Sequence, residues 1–166
     1  MFEPVFEALN RPDVRYVVVG GVAVVLHGYA RLTADLDVVI DLAAGSARAT
    51  IDALVGIGLR PTAPVDPAGF ADPVTRARWI SEKHMRVFSM RDPHDPLRQV
   101  DLFVEEPIPF EELWDRSERV ELGELAVRVA SIPDLITMKE LAGRPLDLDD
   151  VARLREILED RGGGDA

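Results

Sequence analysis

The order of elements read along the sequence predicts an α/β (α+β) chain: a mixed β-sheet flanked by helices, with helices gathered at the C-terminal end. Three observations carry that expectation. Residues 14–19 are a β-branched run containing Tyr16, a buried strand that ends at Gly20-Gly21 before a helix over 22–29. Residues 35–40 alternate acidic and apolar side chains as a second strand. Residues 119–122 and 125–129 pair as a hairpin about Gly123-Glu124, and two helical stretches follow. The remaining elements fill in around these. Phe2, Val5, Phe6 and Leu9 have helical spacing over 2–10, and a further helix over 46–55 stops at Gly56 and Gly58. Residues 60–73, rich in Pro, Ala and Gly, read as an irregular loop, and 74–82 as a short helix. Strands at 85–90 and 98–104 are separated by the turn Asp92-Pro93-His94-Asp95-Pro96, and 109–116 is a short helix. Ser131 is placed to cap a helix with Pro133 just inside it, running to Gly143, and a last helix covers 148–160.

The 166 residues, 47% of them apolar, suit a single domain over residues 1–160, with 161–166 as a disordered tail. No apolar run is long enough to span a bilayer, and the N-terminus lacks a basic region and cleavage site, which predicts a soluble, cytoplasmic protein with no membrane partner. With no cysteine, any metal must be held by oxygen or imidazole ligands, as hard cations are. The net charge of −11 argues against a general nucleic-acid coat. Residues 74–98 run the other way: Arg76, Arg78, Lys83, Arg86, Arg91 and Arg98 stand against Glu82, Asp92 and Asp95. That stretch reads equally well as a local basic site or as a solvated surface.

Asp35 and Asp37 lie two apart on a strand and therefore project together, roughly 7 Å apart. Two carboxylates on one edge repel each other unless a cation lies between them. Asp101, the lone acid in the apolar strand around Val100 and Leu102, is suited to be a third, since an unpaired charge there is costly. Three acids can hold two Mg²⁺ ions, with Mn²⁺ a possible substitute, to neutralise a triphosphate and activate a hydroxyl. Gly20-Gly21 supplies a turn that lets a phosphate approach the backbone at the start of a helix.

The run from Gly20-Gly21 through Ala23, His27-Gly28, Arg31 and Thr33 to Asp35-Leu36-Asp37 resembles the signature of the DNA polymerase β-like nucleotidyltransferase superfamily. It is most similar to the AbiEii/AbiGii-type toxin branch and related stand-alone bacterial nucleotidyltransferases. The later run Asp134-Leu135-Ile136, Met138-Lys139, Ala142-Gly143-Arg144, Asp147 and Asp150 resembles the same branch, and the likeness covers about residues 14–158. It implies a metal-dependent enzyme that moves a nucleoside monophosphate from a nucleoside triphosphate to a hydroxyl, with an RNA 3′ end or a protein side chain favoured over a small molecule as acceptor, and it allows a toxin beside an antitoxin partner. Asp35 and Asp37 would bind metals and phosphates, and Asp101 would complete the site as base. Gly20 and Gly21 would cradle phosphates beside Arg31 and Thr33, and Lys139 would reach the triphosphate. One departure is Leu146, preceded by Pro145, where the branch carries a lysine before the aspartate of its last motif; this leaves any role for Asp147 and Asp150 open, as the sequence does the base, the acceptor and the oligomeric state.

Two other readings compete. A silent regulator or antitoxin that kept the fold would be expected to have lost one of the three acids. A dinucleotide enzyme would carry G-x-G-x-x-G and an acid about 20 residues later, which this chain does not. His27 reads as a partly buried helix-end histidine that fixes the next loop, and His94 as part of a turn.

Overall fold

The computed structural model describes residues 1–163. Its centre is β1 (Tyr16–Val19), where four consecutive buried residues leave no solvent-facing side. Such a strand belongs between two others with both faces covered. β2 (Leu36–Ile40) pairs with it antiparallel, bringing Val19 opposite Asp37. β5 (Asp95–Phe103) then lies parallel to β2, with Asp37 opposite Asp101. Outward from β5 come β4 (Val87–Asp92) and the two-residue β3 (Arg60–Pro61), both antiparallel to their neighbours. On the other side of β1, β7 (Leu125–Val129) runs parallel to it and carries β6 (Glu118–Leu122) at the edge. The seven strands thus form one mixed sheet in the order β3-β4-β5-β2-β1-β7-β6. Parallel and antiparallel pairs in one sheet, flanked by helices, are the predicted architecture.

Helices α1 (Glu3–Leu9), α2 (Gly20–Leu26), α3 (Ala44–Gly56), α4 (Pro73–Lys83) and α5 (Phe110–Arg116) fall close to the expected positions. α2 begins at Gly20 itself rather than after the glycines, and has only seven residues. The hairpin and the helix α6 (Ile132–Ala142) are as read: Ser131 accepts a hydrogen bond from the Asp134 amide at 3.2 Å, and Gly143 closes the helix in the left-handed region.

Two expectations are corrected. Residues 60–73 hold β3 and a short 3-10 helix, Pro67–Ala71, capped by Asp66. The reason is Phe70, which is wholly buried and packs against Phe88, itself stacked on Trp79 at 5.2 Å. One enclosed aromatic outweighs the local turn chemistry of its neighbours. The last helix, α7 (Pro145–Gly163), starts earlier and runs further than 148–160. Residues 161–163 are helical, against the expected tail, while 164–166 lie outside the described residues. Among the described residues no helix is long and apolar enough to cross a membrane.

Candidate active site

Strand register brings Asp37 and Asp101 together, and Asp35 lies near enough for its charge to act on the pair. Asp37 and Asp101 are direct neighbours across the parallel β2–β5 pair, and Asp35 precedes β2 by one residue on the same side as Asp37. Burial, then the charges of Asp101 and Asp35, push the Asp37 carboxyl up to about 7, while Lys139 and Arg144 pull it down. Asp35 is raised too, by burial and then by Asp101, with Arg91 opposing. Asp101 is buried, and its Oδ1 accepts hydrogen bonds from Ser89 Oγ at 2.7 Å and Gln99 Nε2 at 3.0 Å. The cluster is thus a set of like charges short of countercharge.

Gly20 has φ +68° and lies directly beneath Asp37: a Cβ there would fall inside the Asp37 carboxylate. Gly21 is closed on its other side, where a Cβ would come within 2.6 Å of Thr33 Oγ1 and 2.9 Å of Arg31 Nη2. The glycine turn thus has Asp37 on one side and Thr33 and Arg31 on the other. Lys139 sits deeper. It is buried, and its Nζ donates to Asp150 at 2.8 Å and lies 3.8 Å from Asp147. Asp147 is held from the other side by Arg144 at 2.7 Å; burial pushes its carboxyl up, but that bond and charge leave it below the usual range.

The donor set of Asp35, Asp37 and Asp101 is all carboxylate oxygen, the chemistry of a hard divalent cation, and their mutual repulsion is what such a cation would relieve. As they stand, no three acidic or histidine side chains among the described residues converge around one metal position.

Residues 3–158 match a family described as nucleotidyltransferases of unknown function (DUF6036). The chain belongs to this family. Membership makes it a nucleotidyltransferase enzyme, and the dinucleotide reading falls with it. No curated protein matches the chain. Among solved structures, this nucleotidyltransferase is similar to the lincosamide antibiotic adenylyltransferase LnuA in its lincomycin-bound form. The TM-score is 0.58 at 16% identity, over 92% of this chain and 93% of that one. It is also similar to an antigenic nucleotidyltransferase-like protein from Paracoccidioides brasiliensis, with TM-score 0.56 at 14% identity over 90% of this chain and 71% of that one. At such identities the likeness shows the fold.

Several neighbours of the acids in this nucleotidyltransferase were not read from the sequence. Ser89 reaches Asp101 through the β4–β5 register, which the pattern alone does not reveal, whereas Gln99 lies two residues before Asp101 on the same strand and shares its face. Asp147 and Asp150 carried a signal: they share the 3- and 4-residue spacing of the buried Val151 and Leu154 on α7. Of the basic stretch, Arg76 is buried against the Phe70 carbonyl and ring, Arg98 ties Asp92 in the turn, and Arg91 bonds Gln99 and opposes the charge of Asp35. His27 is a buried helix-end residue, its Nε2 2.8 Å from the Ala130 carbonyl. With Nε2 donating, Nδ1 is left to accept from Arg161 at 3.3 Å.

Proposed function

We propose that this enzyme transfers a nucleoside monophosphate from a nucleoside triphosphate to an acceptor hydroxyl, at Asp35, Asp37 and Asp101, with Mg²⁺ or Mn²⁺. The observation that carries this reading is the register that sets Asp37 beside Asp101, directly over Gly20. Two divalent cations held by the three carboxylates would neutralise the triphosphate and make the attacking hydroxyl more acidic. Asp101 takes the proton of that hydroxyl. Its Oδ1 is held by Ser89 and Gln99, leaving Oδ2 as the free oxygen. The hydroxyl oxygen bonds the α-phosphorus, the bond to the bridging oxygen breaks, and pyrophosphate leaves. Gly20 and Gly21 admit the phosphates close to the backbone, with Thr33 and Arg31 alongside.

For the acceptor, the resemblance of residues 20–37 and 134–150 to AbiEii/AbiGii-type proteins supports an RNA 3′ end or a protein. In that reading the enzyme is a cytoplasmic toxin paired with an antitoxin. A second reading, a small-molecule hydroxyl, is favoured by two observations: the net charge of −11 repels RNA, and the chain parallels almost the full length of an antibiotic adenylyltransferase.

The test uses purified protein, Mg²⁺ and each of the four nucleoside triphosphates labelled at the α-phosphate, incubated with separate RNA, protein and small-molecule fractions of a lysate. Label is expected in one fraction, with release of pyrophosphate, and that fraction names the acceptor class. If no fraction takes label from any nucleotide, the chain is the silent regulator instead.

A further inference from the structure

Behind the three acids lies a second group of charges, carried by α6, α7 and the loop before β2. Asp150 is fully enclosed, at 0% exposed, and cations from two distant parts of the chain meet it. Lys139 Nζ donates to its Oδ2 at 2.8 Å, and Arg31 Nε lies 3.1 Å from its Oδ1. These two contacts differ in kind. The lysine bond is well formed and backed by Asp147. Arg31 Nε and Asp150 Oδ1 are both buried yet neither has a hydrogen-bond partner among the described residues, although they face each other at ion-pair distance. The pair has Coulomb attraction without the alignment of a hydrogen bond. The rest of the guanidinium points to the glycine turn: Nη1 donates to the Leu32 carbonyl, and Nη2 is the group a Cβ on Gly21 would strike.

We propose that Asp150 is a positioning residue that holds Arg31 against the Gly20-Gly21 turn, so that Arg31, and not Lys139, meets the nucleotide's phosphates. This inference rests on the nucleotidyl-transfer reading above. Lys139 has little to offer a phosphate, because it is 6% exposed and leaving Asp150 would strand a buried carboxylate. Arg31 keeps its Nε toward Asp150 and turns Nη2 toward the glycine turn, in a planar fork suited to phosphate. Buried ion pairs are poor stabilisers compared with apolar packing. An enclosed acid between two cations is therefore better explained by where it puts them.

The probes are Mg²⁺-tripolyphosphate and each nucleoside triphosphate with Mg²⁺, titrated calorimetrically into the full chain. Arg31→Ala and Asp150→Asn are each expected to weaken binding on the order of tenfold to a hundredfold, the range of a charge-assisted bond. The double variant is expected to bind no more weakly than Arg31→Ala alone, because Asp150 acts through Arg31. Should Asp150→Asn fail to fold, Asp150→Leu combined with Lys139→Met replaces the buried pair by apolar groups. That variant is expected to fold and still bind as weakly as Arg31→Ala. Wild-type binding in a folded Asp150 variant, or additive losses in the double variant, would overturn the inference while leaving nucleotidyl transfer intact. A wild-type protein that binds none of the probes would overturn both.

Discussion

Asp37→Asn is expected to abolish nucleotidyl transfer, by about a thousandfold or more, and at the same time to make the metal-free protein more stable. The first effect follows from the proposed chemistry, since the side chain at the centre of the carboxylate cluster no longer carries charge. The second follows from the same cluster without its countercharge. An unfolded aspartate titrates near about 3.9, whereas burial and the charges of Asp101 and Asp35 push folded Asp37 up to about 7. Between those pH values the folded state holds a proton that the unfolded state has released. Stability therefore falls as pH rises from about 4 to about 7, and the full penalty, at most about 4 kcal/mol, stands above that range. The asparagine variant lacks this penalty. Its melting temperature at pH 8 should exceed wild type by several degrees, given ~2–4 °C per kcal/mol for a chain of this size. The gap should close near pH 4, where wild-type Asp37 is already protonated. Mg²⁺ at pH 8 should raise the wild-type melting temperature more than that of the variant, because a ligand that binds only the folded state stabilises it. A variant less stable than wild type at pH 8 would show that the three acids are not the strained group described here.

Gly20→Ala should cost both stability and activity. The residue has φ +68°, where a Cβ is disfavoured by roughly 1–2 kcal/mol, and that Cβ would fall inside the Asp37 carboxylate. The carboxylate must move aside, so a total loss of at least about 2 kcal/mol is expected from strain and displacement together. Misplacing a reacting group by about 1 Å can lower a rate on the order of a hundredfold. Denaturant melts and transfer assays on the folded variant would measure the two losses separately. Gly56→Ala is the control: nothing lies within 4 Å of its Cβ position and its φ is not left-handed, so both properties should stay near wild type. Equal behaviour of the two variants would remove Gly20 from the site.

The sequence disclosed the parts of this architecture that depend on local pattern. The run Tyr16–Val19, the paired glycines and the alternation through Asp35 and Asp37 are each local, and each appears where expected. Asp101 was legible for a different reason: a single acid among Val100 and Leu102 is costly unless something holds it, and strand register sets it beside a second acid, Asp37, which leaves the pair in need of a countercharge. Contacts set by tertiary packing were less legible. Ser89 looks like an ordinary strand polar residue until β4 and β5 are aligned and set it opposite Asp101. Asp147 and Asp150 stand in the second motif with their role open, although their spacing puts them on the buried face with Val151 and Leu154. In residues 60–73 proline and glycine dominate the local signal and point to a loop, whereas the packing of Phe70 against Phe88 decides the structure. The N-terminal end of α7 differs from the expected start at 148 because Pro145, with no amide hydrogen to lose in the first turn, opens the helix.

The central claim is that Asp35, Asp37 and Asp101 together bind the metal ions and the nucleotide. Its most direct test is a crystal structure with Mg²⁺ and a non-hydrolysable nucleoside triphosphate analogue. The expected result is two ions between the three carboxylates, with the phosphates over Gly20 and Gly21. A nucleotide bound elsewhere, or bound without these carboxylates, would contradict it.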